Sequence, residues 1–450
     1  MKNILIAIRS IFKKGRHNVM KIVSLGIGLA VGLVLIAKVY FEQSYDDFYP
    51  DRDRVYQVWA KYQQNGGELK DYPQTSGGIA PTMQQQIPEI ETVTRYTSFG
   101  DWTFTMTDTK MKYSGRCIIA DSCFFDILPR PMLIGNAKEV LSTPMYVLIS
   151  SRIAKNIGGD VIGKNFTVDN SPGRTMTIGG VFEEVPENSH SRYDVIVSMA
   201  SAGRFMWEGS PTNMLGNDRY ISYVKLHKGV NPLALEEQVR TFVNSYFPPE
   251  EQQKVGLSID FSFHKLDNLH KELPQVKRMT WILSLLAFAL IFTAVMNYIL
   301  IVISSIVNRS KEVAVHKCYG ASENNIHGMM FGEALVHIVL SLILALLLIL
   351  AFRGTVEELL ATSLDSLLLS NGSLVLLGIC ILVFFVSGFM PGSLYARIPV
   401  ASAFRNYREN KRIWKKALLL VQFVATGFLV TMLVFVARQY TFMVNDRPGY

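Results

Sequence analysis

Five stretches of the chain are apolar almost without interruption, at 22–40, 279–307, 333–352, 373–390 and 417–437. Each comes close to the ~20 residues an α-helix needs to cross the hydrocarbon core of a bilayer. The first is glycine-rich and lies far from any small-residue cleavage motif, so it reads as a retained anchor rather than a removable signal peptide.

Between the first two runs, residues 41–278 change period. Val55 to Tyr62 alternates as a strand does, Pro81 stands where a helix begins, and Ser151 to Asn156 has helical character. Asn165 to Val168 and Thr175 to Val181 read as paired strands joined through Asp169, Asn170, Ser171, Pro172 and Gly173, and Asn231–Pro232 opens a helix reaching Phe247. The segment is long enough to bury a core of its own, in two lobes. The expected fold class is therefore a membrane protein, an α-helical transmembrane bundle carrying a large mixed α/β extracytoplasmic domain.

Ahead of the first span, Ile4, Ile8, Ile11 and Phe12 recur at helical spacing while Arg9, Lys13, Lys14 and Arg16 fall largely elsewhere. Residues 1–21 thus read as an amphipathic helix lying at the membrane surface.

Charge orients the spans. The formal net charge is +8, with 49% hydrophobic and 18% charged residues. The basic residues cluster at span ends, which points to a membrane surface and not to nucleic acid. Lys2, Arg9, Lys13, Lys14, Arg16 and Lys21 precede the first span. Arg309, Lys311 and Lys317 follow the second, and Arg397, Arg405, Arg408, Lys411, Arg412, Lys415 and Lys416 lie in the segment 391–416. The 353–372 loop instead sets Arg353 against Glu357, Glu358 and Asp365. All loops agree on a cytoplasmic N-terminus, an external 41–278 and a cytoplasmic 308–332.

Candidate chemistry is sparse. Cys117, Cys123, Cys318 and Cys380 show no metal-site spacing, and the pairing of Cys117 with Cys123 stays open beside two free thiols. Gly158, Gly163 and Lys164 have the spacing of a phosphate-binding loop, but Asn165 replaces the hydroxyl residue and the helix precedes the loop instead of following it. His190 lies beside Ser189 and Ser191, and His270 near Asp267, where surface or capping roles are expected. No catalytic, cofactor or metal residues are assigned. Gly28 and Gly32, extended by Ser24, form a small face suited to close helix packing. Asn297 and His337 are polar groups inside spans and are expected to face neighbouring helices.

The stretch from Asn297 to Glu333 resembles the signature region of FtsX-like, MacB-type permeases of ABC transporters. The matching residues are Asn297, Arg309, Lys311-Glu312-Val313, Lys317, Gly320-Ala321-Ser322, Ile326 and Glu333-Ala334, with departures at Ala314 and His316. The external segment resembles the MacB-like periplasmic core domain of Bacteroidota-type chains through Pro88-Glu89-Ile90-Glu91, Ala120-Asp121, Phe124-Phe125, Leu133-Ile134-Gly135, Ile149-Ser150, Ala154-Lys155, Ile162-Gly163-Lys164, Gly179-Gly180-Val181-Phe182 and Pro186-Glu187-Asn188-Ser189-His190.

The resemblance implies a non-enzymatic permease subunit in the bacterial inner membrane, working with a separate ABC ATPase that binds the ATP. It also implies a homo- or heterodimer of permeases and a periplasmic adaptor or outer-membrane partner. Within it, Arg309, Lys311, Glu312, Lys317, Gly320, Ala321, Ile326, Met330 and Glu333 belong to the segment that docks on the ATPase. A short amphipathic helix is expected from Ala321 to Met330, and Ile326 and Met330 are its expected apolar contacts. The second span, free of breakers from Trp281 past Val307, is expected to act as a lever. Export of a periplasmic substrate is the expected function. The alternative is a non-transporting transmitter of force to a periplasmic partner such as a cell-wall hydrolase; a sensory receptor is disfavoured because no internal loop is large enough for an output domain. The echo of Lys21, Tyr40 and Asp51-Arg52 in Lys416, Tyr440 and Asp446-Arg447 suggests that residues 438–450 begin a second external domain, with the chain continuing beyond Tyr450.

Overall fold

The computed structural model describes residues 17–169, 171–216, 218–369, 372–396 and 413–445. Most of the stretch expected to form an N-terminal surface helix, the centre of the 391–416 basic segment and Asp446 onward lie outside the described residues. The chain divides into two compact units, Ser44–Leu273 and the helical remainder.

Among the described residues, the helical unit contains five helices long and apolar enough to cross a membrane. They are Asn18–Gln43, Pro274–Ser304, Glu323–Ala351, Ser373–Ala396 and Ile413–Asn445, called spans 1 to 5 below. Spans 1 and 5 overrun their apolar runs at both ends, spans 2 and 3 begin before theirs and span 4 ends after its own, because backbone hydrogen bonding continues past the point where hydropathy falls. The second span corrects one expectation. It starts at Pro274, where proline's fixed φ suits a first turn, but does not run unbroken past Val307: it stops at Ser304, and a new helix spans Ile306–Cys318. Ser305 sits at the break, its Oγ donating to the Val302 carbonyl at 2.6 Å. The loop between spans 3 and 4 forms two short helices, Arg353–Leu360 and Leu364–Leu368.

The α/β unit is built on eleven strands. They are β1 (Val55–Gln64), β2 (Lys70–Tyr72), β3 (Ile90–Met106), β4 (Lys112–Ala120), β5 (Met132–Ile134), β6 (Tyr146–Ser150), β7 (Asn165–Val168), β8 (Ser171–Phe182), β9 (Val195–Ser198), β10 (Ile221–Leu226) and β11 (Leu257–Lys265). Their order is β11-β1-β10-β3-β4-β9-β6-β8-β5, with β2 on β1 and β7 bridging β3 and β8.

That last pairing closes a ring, β3-β4-β9-β6-β8-β7. The long β3 makes closure possible: its register shifts between Ser98 and Gly100, where Gly100 takes φ +74, and the strand turns from its β10 partner towards β7. Alternate residues point into the ring. Trp102, Phe104, Met106, Cys117, Ile119, Val147, Ile149, Phe166, Val168, Met176, Ile178, Val195 and Val197 form one buried cluster there. A second cluster lies where β1, β10, β11 and the start of β3 are covered by helices Ile79–Gln86 and Glu236–Tyr246. The two expected lobes are thus a ring and an open wing of one continuous sheet. Cys117 is buried inside the ring and Cys123 lies outside that cluster; both thiols are free.

Candidate functional site

Three arrangements of polar and small residues stand out: one in the α/β unit and two in the helical unit.

The α/β unit begins at Ser44, and its first residues are held by a buried network. Asp46, fully buried, adopts φ +59, a left-handed conformation that aspartate tolerates better than most residues. Its backbone N–H donates to the Asn188 carbonyl at 2.9 Å. Its carboxylate accepts from Ser189 Oγ at 3.0 Å and the His190 amide at 3.3 Å, and lies 2.7 Å from His190 Nδ1. His190 Nε2 meets Tyr223 OH and Ser191 Oγ, the latter at 3.0 Å, and Ser191 Oγ in turn lies 2.7 Å from Tyr96 OH. Burial pushes the Tyr96 phenol up to about 12 and raises that of Tyr223. Both therefore stay neutral at any physiological pH.

These are the contacts of an Asp-His-Ser triad, which the sequence did not allow to be placed, because Asp46 comes from the far end of the unit. The arrangement does not suit hydrolysis. Ser191 is only 4% exposed and its oxygen is engaged by a tyrosine, which leaves no room for a substrate carbonyl beside it. What the network does is fasten the incoming chain, through residues 188–191, to Tyr96 of β3 and Tyr223 of β10.

The outgoing chain is fastened to the same place. Lys271 lies 3.2 Å from Asp47 and 2.9 Å from Asp267, Arg52 lies 3.5 Å from Asp267, and the Tyr45 and His270 rings stack at 3.4 Å. Burial works against both charges of the central pair. Even so, Lys271 holds the Asp267 carboxyl below its ordinary range, and the two aspartates hold Lys271 above its own. The segments that continue into spans 1 and 2 are therefore tied to each other.

In the helical unit, span 1 packs between spans 2 and 3. Gly28 faces Ala294 and Gly32 faces Ile291, both on span 2. Gly26, not singled out by sequence, faces Ser341 and Leu344 on span 3. Ser24 turns back on its own helix, its Oγ donating to the Lys21 carbonyl at 3.4 Å. Asn297 is half-buried in span 2, and His337 meets the neighbouring Tyr298, Nδ1 to OH at 3.1 Å. Lys21 is not a flanking surface charge. It is buried, 3.6 Å from Glu333 of span 3. Near the other end of span 1, Lys38 pairs with Glu42 at 2.7 Å and donates to Thr362 at 2.7 Å.

The segment between spans 2 and 3 is a helical hairpin. Helix Ile306–Cys318 ends with basic His316 and Lys317 in its last turn, favourable to the helix dipole. Gly320 follows at φ +85; its N–H donates to the Lys317 carbonyl at 3.0 Å and that of Ala321 to His316 at 3.0 Å, the pattern of a glycine C-cap. Ser322 then caps the next helix, accepting from the Asn325 amide at 3.4 Å. The expected short helix from Ala321 to Met330 is the first part of span 3 itself, which is continuous from Glu323 to Ala351.

Arg309 falls in the first turn of helix Ile306–Cys318, Lys311 is exposed, and Glu312, Lys317 and Ala321 are partly buried. Ile326 and Met330, expected as docking contacts, are 1% and 4% exposed. Gly388 and Gly392 bring span 4 close against Phe331 and His327 on the same helix, and Met330 backs onto Gly392. The apolar periodicity from Ala321 to Met330 is thus the inward face of the bundle. The exposed apolar side chains lie on the preceding helix and its cap: Val315, 43% exposed, and Tyr319, 89% exposed, follow Lys311 at intervals of four.

Together these features define a multi-pass membrane protein with five candidate spans and a large α/β domain between the first two. Residues 284–400 match the family model described as FtsX-like permease C-terminal, a stretch that contains the whole hairpin. No curated protein matches the chain. Among solved structures, it is similar to a domain of a protein described as a permease from Porphyromonas gingivalis, at 33% identity and TM-score 0.45, covering 48% of this chain and 91% of that one. It is also similar to the extracellular domain of the noncanonic ABC-type transporter YknZ from Gram-positive bacteria, at 11% identity and TM-score 0.32, covering 46% and 98%.

Proposed function

We propose that the protein is the permease subunit of a MacB-type ABC transporter of the bacterial inner membrane. A separate ATPase docks on the hairpin between spans 2 and 3, and ATP-driven movement there displaces an external α/β domain to extrude a substrate from the periplasm. The observation that carries this reading is the exposed stripe Lys311, Val315 and Tyr319, ending at a glycine-capped turn inside the residues that match the permease family. An exposed aromatic flanked by a cation is the usual composition of a protein-binding anchor. The tie between Lys271, Asp47 and Asp267 supports the same reading, because it makes the chain's two connections to the domain act as one.

Tyr319→Ala combined with Val315→Asp is expected to leave expression and insertion intact and to remove co-purification of the ATPase, with at least a tenfold loss of affinity. Ile326→Asp with Met330→Asp should instead lower the stability of the bundle. Normal ATPase binding by the first double variant would defeat the docking assignment.

The orientation is tested separately. Single cysteines at Gly66 and Asn410, in a chain freed of its own cysteines, should react with impermeant reagents from opposite sides of the membrane. The positive residues flanking the spans favour an orientation with Gly66 outside. Labelling of both from the same side would overturn this arrangement.

A further inference from the structure

Span 1 is joined to its two neighbours in different ways. Its contact with span 2 is through small apolar groups, Gly28 on Ala294 and Gly32 on Ile291. Its contact with span 3 includes the close approach of Gly26 to Leu344 and adds polar groups at one end: Lys21 to Glu333 at 3.6 Å, and Ser341 Oγ donating to the Ile22 carbonyl at 3.1 Å. Lys21 also donates to Asn18 at 3.2 Å on its own helix. Its side chain is 1% exposed and that of Glu333 is 9% exposed. An ionisable pair enclosed between two spanning helices is costly to desolvate and is a weak source of stability. At 3.6 Å it is an attraction between charges and not a hydrogen bond, and it opposes separation of the two helices.

Glu333 also lies on the helix that forms the second arm of the hairpin. From Asn325, beside the Ser322 cap, to Glu333 is eight residues of unbroken helix, about 12 Å at 1.5 Å per residue. Span 2 meets the hairpin differently, through the break at Ser305. A displacement of the hairpin therefore has one continuous helical route, along span 3 to Glu333 and across to Lys21, and from span 1 the chain leads directly into Ser44 and Asp46.

We infer that Lys21 and Glu333 form the joint through which movement of the hairpin drives span 1, so that span 1 rather than span 2 is the moving arm. Glu333 is thereby a positioning residue and not an ATPase contact. This rests on the ATPase-docking reading above, and its test separates the two.

The chain is purified with its native ATPase in lipid nanodiscs, with spin labels at Glu139 and Glu358 and its own cysteines replaced. The label-to-label distance is measured without nucleotide and with ATP plus vanadate. Glu333→Gln should leave ATPase binding within twofold of the parent and reduce the nucleotide-dependent distance change at least twofold. Lys21→Glu and Glu333→Lys should each abolish the change, and the two combined should restore most of it. Tyr298→Phe, which removes a hydrogen bond between spans 2 and 3, should leave the change intact.

A full distance change in Glu333→Gln, or no recovery in the exchanged pair when that variant is folded by size and still binds the ATPase, makes the pair a structural fastener and overturns the joint. Should the exchanged pair not fold, the comparison of Glu333→Gln with Tyr298→Phe decides alone: equal responses overturn the joint. Failure of the parent chain to bind an ATPase overturns the docking reading and the joint with it.

Discussion

Replacing Gly28 and Gly32 together with leucine is expected to leave a chain that enters the membrane but does not assemble its bundle. A Cβ on Gly28 falls inside the van der Waals shell of the Ala294 methyl, and one on Gly32 inside that of the Ile291 side chain. Neither neighbour has a free direction to retreat, since Ala294 has no rotamer and Ile291 is branched at Cβ. Overpacking at one such site costs about 1–3 kcal/mol; two on one helix face, sharing one partner helix, are expected to exceed that range together. Leucine is well accepted by lipid, so insertion gives no compensating signal. Thermal unfolding and size homogeneity in detergent report the effect. Gly427 of span 5, where an added Cβ meets nothing within 4 Å, supplies the control: Gly427→Leu should behave as the parent. Equal stability of the Gly28/Gly32 and Gly427 variants would show that the close approach is not what holds span 1.

The spans were legible because a bilayer imposes length and hydropathy on any helix that crosses it, and the strand pairs of the α/β domain because alternation survives in β1, β7 and β8. Gly28 and Gly32 were legible for a related reason, small size at helical spacing. The segment between spans 2 and 3 was legible as a basic interval between two apolar runs, and which of its faces is exposed was not. Ile326 and Met330 carry the periodicity of a buried face, and periodicity alone does not say whether the other side of that face is the same chain or a partner. Two further features left no trace. Lys21 belongs by sequence to a run of basic residues before a span, and only the packing of span 3 turns it inward to Glu333. Asp46 is separated from His190 by most of the domain, and only the sheet order β10-β3-β4-β9 brings together the strands that surround them.

Asp46 is also where the largest local effect in the α/β domain is expected. Asp46→Gly keeps the left-handed backbone at that position, since glycine takes positive φ without strain, and deletes only the carboxylate. The change strands the His190 amide, leaves His190 Nδ1 without its partner and leaves the Ser189 hydroxyl with the Ser191 carbonyl at 3.2 Å in place of the carboxylate. Breaking a buried charged contact by removing one side costs about 3–5 kcal/mol, whereas an unmet buried neutral donor costs about 1–3 kcal/mol. His190 is itself partly exposed and can turn to water, so the lower part of the first range, about 3 kcal/mol, is expected. Amide hydrogen exchange over residues 44–49 and 187–191 of the full chain should accelerate by about a hundredfold, since each 1.4 kcal/mol of local stability is a factor of ten. Asp46→Asn keeps an acceptor for Ser189 and the His190 amide and should accelerate exchange by about tenfold at most. Exchange inside the ring, at Phe104 or Ile149, should change little in either variant, because that cluster is packed without any contribution from Asp46. A uniform rise across the whole domain would mean that Asp46 supports the fold as a unit and that the fastening of the incoming chain is not a separable element.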